Sequence, residues 1–154
     1  MCRDILVEYR KPSITVDIVV FNKNNFNLSN NNNKNDFILI KRKNEPFKDY
    51  WAIPGGFVDY GETVENAAIR EAKEETGLDI ELKKLIGIYS QPKRDPRGHT
   101  ITIVYLAIGD FNKVKADSDA IDVGVYSFDD IKSMKIAFDH SKILKDVFKE
   151  INRN

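Results

Sequence analysis

Two rhythms of apolar residues run along this chain. The stretch SITVDIVVF (13–21) is rich in β-branched residues and bounded by Pro12 and an asparagine-rich tract, which predicts a strand. FILIKRK (37–43) predicts a second strand, and the two together predict a hairpin with an oversized loop. YWAIPGGFV (50–58) reads as a short strand broken by Pro54, Gly55 and Gly56. The rhythm then changes. Residues 64–76 contain no Gly or Pro, Thr63 suits an N-cap, and Gly77 suits the left-handed position that ends helices. LDIELKKLIGIYS and HTITIVYLAIGDF are long β-rich segments separated by QPKRDPRG, and VGVYSF (123–128) predicts a last short strand. AFDHSKILKDVFKEINR predicts an amphipathic helix with Phe138, Ile143 or Leu144, Val147, Phe148 and Ile151 on its inner side.

Strands, helix, strands, helix is the order of a mixed β-sheet with helices packed on it, in the α+β or α-β-α style. The 154 residues fit one domain, with no internal repeat and no linker, so residues 1–154 are expected to form a single unit. The tract NKNNFNLSNNNNKND (22–36) is low in complexity and is expected to be an exposed connection.

Composition narrows the function. Hydrophobic residues make up 42% of the chain, enough for a core, while 24 basic residues balance 24 acidic ones. That balance offers no electrostatic footprint for nucleic acid. The lone cysteine, Cys2, excludes a disulfide framework or a cysteine-built metal site, which makes a reducing cytoplasm the expected setting. The N-terminal segment lacks the continuous apolar core of a signal peptide, and no apolar run approaches the length that spans a bilayer. No membrane partner is expected.

The first helix carries the chemistry. Glu71, Glu74 and Glu75 fall within an arc of roughly 100° on the helix surface. Val64, Ala68 and Ala72 form an adjoining apolar stripe that partly overlaps this arc, and Ala67 lies among the acids. The carboxylates are therefore directed toward the protein side, where crowded negative charge is unfavourable unless something positive lies between. Lys73 projects away, and a bound hard cation is the economical explanation: Mg²⁺ takes oxygen ligands and retains waters or phosphate oxygens. The ordinary alternative is a solvated Glu/Lys-rich helix. Against it stand the Gly-Gly turn before the helix, where backbone carbonyls can approach a ligand closely, and Glu62 just ahead of the first turn.

The stretch GFVDYGETVENAAIREAKEETGL (56–78) resembles the Nudix box, with Gly56, Glu62, Arg70, Glu71, Ala72, Glu74, Glu75, Gly77 and Leu78 at its fixed positions. The strand order on either side is similar to the Nudix fold, an α-β-α sandwich around a mixed sheet. The resemblance implies that Glu71, Glu74 and Glu75 ligate divalent metal, Mg²⁺ or Mn²⁺, helped by the main-chain carbonyl of Gly56. It implies that Arg70 and Glu62 pair to hold the loop–helix–loop in shape, and that Glu75 can bridge two ions. The implied chemistry is attack of water on one phosphorus of a nucleoside diphosphate linked to another moiety. For the general base, relatives often use a glutamate before the last strand. Here KADSDAIDVG offers Asp117, Asp119 and Asp122 instead, so Asp119 or a box glutamate is the candidate.

Features outside the box resemble ADP-ribose pyrophosphatases. In YSQPKRDPRGHT, Arg94 and Arg97 are candidates for phosphate or ribose contacts, since a guanidinium fork matches paired phosphate oxygens. The other account is an ordinary turn built on Pro92, Asp95, Pro96 and Gly98. Tyr89 precedes this loop as a further candidate contact. Phe47, Tyr50 and Trp51 are candidates to stack on adenine, or members of the core. His140 either touches ligand or belongs to a helix start beside Asp139. Three functions follow from the resemblance. The leading one is hydrolysis of ADP-ribose to AMP and ribose 5-phosphate, by a small enzyme of a subgroup often found as homodimers. The others are a housecleaning nucleoside triphosphate pyrophosphatase and a non-catalytic ADP-ribose sensor. The intact box and the short chain after the last helix weigh against the sensor.

Overall fold

A computed structural model describes residues 9–27, 35–114 and 122–153. Strands β1 (Ser13–Asn22), β2 (Phe37–Lys41), β3 (Trp51–Ala52) and β4 (Gly55–Phe57) lead to helix α1 (Val64–Thr76). Strands β5 (Ile80–Tyr89), β6 (Thr100–Gly109) and β7 (Val123–Tyr126) then lead to helix α2 (His140–Ile151). All seven strands join one mixed sheet.

β1 is its central strand. It pairs parallel with β6 along its whole length, from Ser13 opposite Thr100 to Asn22 opposite Gly109. The expected β1–β2 hairpin is present only at its closed end, where Phe21 faces Phe37. Beyond that pair the strands part. The first half of β1 takes β4, with Val16 opposite Gly56 and Asp17 opposite Gly55, while the far end of β2 takes β3. β7 lies on the outer edge of β2. The segment carrying Pro54, Gly55 and Gly56 is thus wedged into the sheet between two strands that diverge, which is how a short broken strand comes to lie beside the central one.

Alternation along β1 builds both cores. Val16, Ile18 and Val20 face α1 and pack with Ala67, Ala68, Leu78, Tyr105 and Ala107. Val19 and Phe21 face α2 and pack with Leu106, Ile143, Leu144, Val147 and Ile151. Successive strand residues point to opposite faces, and a strand covered on both sides reads as a nearly unbroken apolar run. Both Ile143 and Leu144 are fully buried, so the inner side of α2 takes both.

α1 has the expected limits. Thr63 Oγ1 accepts the Asn66 N–H at 3.1 Å, and Gly77, at φ 73°, donates its N–H to the Lys73 carbonyl. The residues that α1 buries fully are small: Ala67, Ala68, Ala72 and Thr76. Their lack of bulk sets the box helix close to β1 and β4. Thr63→Ala removes an acceptor for an orphan helix N–H and is expected to cost about 1 kcal/mol, read as a lower urea midpoint with an unchanged m-value.

Candidate active site

Two glycines bring strand and helix together. A Cβ on Gly55 would lie 2.1 Å from the Val16 carbonyl oxygen, and one on Gly56 would lie 2.4 Å from the carboxyl carbon of Glu71. Neither gap admits a side chain. The bare backbone therefore runs between β1 and the acidic face of α1, and the Gly55 N–H donates to Glu75 Oε2 at 2.9 Å.

Arg70 is the hub of the loop ahead of the helix. Its Nε and Nη2 donate to the two oxygens of Glu62 at 2.8 and 2.9 Å, and Nη2 also reaches the Phe57 carbonyl at 3.0 Å. Nη1 donates to Glu71 Oε1 at 2.8 Å and, more weakly, to Glu74 Oε2 at 3.4 Å. Glu62 in turn accepts the Asp59 N–H. The bidentate bond from Arg70, followed by that N–H, holds the Glu62 carboxyl down to about 2. Arg70 thus supplies part of the positive charge that the crowded acids require. Burial still pushes the Glu71 carboxyl up despite Arg70.

Glu75 is the acid left uncompensated. It is partly buried, and among the described residues it has no ion-pair partner. Its carboxyl is pushed up to about 8, first by burial and then by Glu71 and Asp17, against the Gly55 N–H. An acid held this way accepts either a proton or a cation. No three His, Cys, Asp or Glu side chains among the described residues already converge as a ligand cluster. Arg70 draws Glu71 and Glu74 to one side and Gly55 holds Glu75. The donor set itself is all oxygen: three carboxylates and the Gly56 carbonyl, which suits a hard divalent cation. Glu74 is exposed, and Lys73 points away to pair with Asp79 at 3.0 Å.

A second group of residues flanks the Gly56–Phe57 turn. The Arg97 guanidinium carbon lies 5.4 Å from the ring centroid of Phe57 and 5.5 Å from that of Phe138. Its Nε and Nη2 are anchored on buried Asp95. Arg42 lies over the same Phe138 ring at 4.8 Å. Phe57 and Arg97 also line a cavity of about 470 Å³ with Arg10, Lys11, His99 and Thr100.

The remaining candidates are placed differently from expectation. The Arg94 side chain is only 5% exposed, and its fork is engaged by Asp139 at 2.7 and 3.0 Å and by Thr100 Oγ1 at 3.0 Å. A buried guanidinium needs all its partners inside, so Arg94 ties the β5–β6 loop to the start of α2 and does not face a ligand. Tyr89 is likewise turned onto α2, donating to Asp146 at 2.9 Å, and Trp51 packs edge-on against Tyr126 in the core beneath α2. Phe47 lies nearer the site, 4.9 Å from Phe138. His140 is buried and structural: its Nδ1 accepts the Ile53 N–H at 3.0 Å, which assigns the proton to Nε2, facing Asp17 at 3.5 Å. Burial keeps it neutral by lowering its pKa. Asp117 and Asp119 lie outside the described residues. Sequence reasoning missed Arg42, hidden in the ordinary-looking KRK at a strand end, and Asp17, a lone acid inside an apolar strand. The latter was a visible signal, since a buried carboxylate needs partners; Thr102 Oγ1 donates to it at 2.6 Å.

A family model described as NUDIX domain matches residues 12–147. The chain is 45% identical over 138 residues to an ADP-ribose pyrophosphatase of Methanocaldococcus jannaschii, covering 90% of this chain and 74% of that one. It is 32% identical to an ADPR responsive transcriptional repressor of Acinetobacter baylyi, covering 94% of this chain but only 56% of the repressor's length. The fold superposes on the NUDIX domain of Shewanella oneidensis NrtR complexed with ADP ribose, with a TM-score of 0.77 at 25% identity, over 94% of this chain and 91% of that one.

The state of Glu75 is open to titration. Its folded pKa, about 8, lies above the unfolded value of 4.5, so its contribution to stability is complete below about pH 4.5 and is lost as pH rises through 8. In EDTA the wild type is therefore expected to lose more stability between pH 5 and pH 8 than Glu75→Gln, measured by urea unfolding. Metal binding at pH 7 is expected to release about one proton in the wild type and none in Glu75→Gln, measured by calorimetry in two buffers of different ionisation enthalpy.

Proposed function

This chain belongs to the NUDIX domain family, and we propose that it hydrolyses the diphosphate linkage of ADP-ribose to AMP and ribose 5-phosphate. The observation that carries this reading is the uncompensated Glu75 carboxyl, which bonds the bare Gly55 backbone and feels the charge of Glu71, itself set against Gly56. The substrate comes from the archaeal relative's activity and from the ADP-ribose held by the superposed NrtR domain.

In this proposal Glu71, Glu74, Glu75 and the Gly56 carbonyl hold a divalent cation, Mg²⁺ first and Mn²⁺ as the alternative. Bound there, the cation activates water and neutralises charge gathering on the phosphate oxygens. Glu62 and Arg70 position the turn, and Arg70 also orients Glu71. Water adds to one phosphorus, the bond to the bridging oxygen breaks, and the water's proton passes to a base. Asp119 or a box glutamate fills that last role. Arg97 and Phe47, the candidates nearest the turn, contact the substrate. Cys2 as the lone cysteine supports a cytoplasmic setting. Among the described residues no helix is long and apolar enough to cross a membrane. The proposed assembly is a homodimer, supported by edge strand β5 with exposed Leu85 and Ile88; sedimentation giving a monomer at working concentration removes that part.

The sensor reading draws on the repressor relative, a protein that this chain matches over only 56% of its length. Phosphate release in the presence of added phosphatase separates the readings, over a panel of ADP-ribose, nucleotide sugars, diadenosine polyphosphates and dNTPs. Cation-dependent turnover of ADP-ribose well above dNTPs is expected. Tight ADP-ribose binding without turnover of anything would mean a sensor, and preference for dNTPs a housecleaning enzyme. Glu74→Gln is expected to lower kcat on the order of 100-fold because the lost oxygen acts in the transition state. Its melting temperature stays close to wild type, since the exposed 3.4 Å contact with Arg70 contributes little.

A further inference from the structure

The three residues that lead into the Gly-Gly turn are each held by one hydrogen bond, and each bond comes from a different element. Ile53 and Pro54 belong to no strand, since β3 ends at Ala52 and β4 begins at Gly55. The buried Ile53 N–H donates to Nδ1 of His140, the first residue of α2, at 3.0 Å. Pro54 has no N–H, and its carbonyl accepts the Ile18 N–H of β1 at 2.8 Å. The Gly55 N–H donates to Glu75 Oε2 of α1 at 2.9 Å. Pro54 fixes its own φ and restricts Ile53, so the link between the first and third bonds has little freedom. A buried N–H outside a strand needs an acceptor, and this one is supplied from 87 residues away in the chain.

His140 is itself held in the form that the bond requires. A neutral imidazole accepts at one nitrogen only while the other carries the proton. Nε2 faces Asp17 Oδ1 at 3.5 Å, and the buried Asp17 is fixed in turn by Thr102, which donates to Oδ2 at 2.6 Å. The same carboxylate stands against the turn: a Cβ on Gly55 would lie 2.6 Å from Asp17 Oδ1. The link from Ile53 to Gly55 is thus gripped by His140 and Asp17 on the α2 side and by Glu75 on the α1 side.

We propose that His140, oriented by Asp17, is a positioning residue for Glu75: it fixes the Ile53–Gly55 backbone and, through the Gly55 N–H, the place of the carboxylate that takes up a divalent cation. This rests on the reading above that the box carboxylates hold such a cation. His140 is buried beneath the link and acts only through it. Without the Nδ1 acceptor the Ile53 N–H is left buried and unpaired, which is costly. The link then shifts toward another acceptor and carries Gly55 away from Glu75. Groups that orient metal ligands from behind change metal affinity by about 10–100-fold when they are removed.

Two amides that each copy half of the imidazole provide the test. In His140→Asn the amide oxygen takes the place of Nδ1 and keeps the bond to Ile53. In His140→Gln the amide takes the place of Nε2, and nothing accepts the Ile53 N–H. Ile143→Val loosens the buried face of α2 without touching the link and controls for lost stability. Mn²⁺ affinity is read by electron paramagnetic resonance, hydrogen exchange of the Gly55 amide by NMR in EDTA, and kcat and KM with ADP-ribose, all at one pH and below every melting temperature. His140→Gln is expected to bind Mn²⁺ about tenfold more weakly and to exchange the Gly55 amide about tenfold faster. It is also expected to lower kcat at saturating Mn²⁺ with KM unchanged. His140→Asn and Ile143→Val are expected to match wild type in all three. A folded His140→Gln that keeps wild-type Mn²⁺ affinity and Gly55 exchange overturns the proposal, and so does Ile143→Val if it reproduces the same losses. Where His140→Gln does not fold, His140→Asn carries the test, and weakened Mn²⁺ binding in that folded variant overturns the proposal. In the wild type the bond itself is read as a scalar coupling between the Ile53 nitrogen and His140 Nδ1, whose absence overturns the proposal whatever the variants do. Turnover is scored apart. If the wild type binds Mn²⁺ through His140 as expected but does not hydrolyse ADP-ribose, the positioning stands and the proposed reaction falls. If ADP-ribose is hydrolysed and His140→Gln matches wild type throughout, the reaction stands and the positioning falls. A wild type that binds no divalent cation overturns both.

Discussion

The approach of the Gly55–Gly56 backbone to its neighbours is the constraint on which the rest of this molecule depends. On one side stands the Val16 carbonyl of the central strand, and on the other the carboxyl of Glu71 on α1. Because neither glycine carries a Cβ, β4 can pair with β1 while the acidic face of the helix closes over it. The small residues Ala67, Ala68 and Ala72 allow the same closeness from the helix side. A larger residue at any of these positions would push the helix from the sheet and separate the Gly55–Gly56 backbone from Glu71 and Glu75. Close packing of this kind transmits a change of one methyl group, because interiors have few voids to absorb it.

Charge in the site is arranged in tiers. Arg70 gathers Glu62, Glu71 and the Phe57 carbonyl into one network, which fixes the turn ahead of the helix. It does not reach Glu75, whose carboxyl is pushed up to about 8 by burial first and then by Glu71 and Asp17. Across the turn the sign reverses, with Arg42 and Arg97 held against Phe138.

Behind the site lies a buried polar cluster with a different purpose. Asp17, Thr102, Arg94, Asp139 and His140 join β1, β6, the β5–β6 loop and α2 on the face away from α1. Its members satisfy one another, so it holds the second helix in register without offering free groups to a ligand. Arg94 and Arg97, three residues apart in one loop, therefore have opposite fates. One is buried and fully partnered, and the other lies at the surface on two aromatic rings.

Periodicity and local chemistry fixed much of this in advance. The limits of α1 followed from Thr63, Gly77 and the absence of breakers between them, because caps and helix continuity are local properties. The box spacing, from Gly56 to Leu78, likewise placed the acids on one arc of a helix, which only the helical repeat can do. What local pattern could not contain was partnership at long range. The expected β1–β2 hairpin gave way beyond Phe21 and Phe37 because β4 takes the first half of β1, while β6, distant in the chain, takes the other edge of β1 along its whole length. Arg94 and Arg97 looked alike in sequence, and only the position of Asp139 and Phe138 at the start of α2 distinguished them. Arg42 and Phe138 met only when folding brought a strand end and a helix start together. Backbone form is set by neighbours along the chain, whereas the environment of a side chain is set by whatever the tertiary fold packs against it.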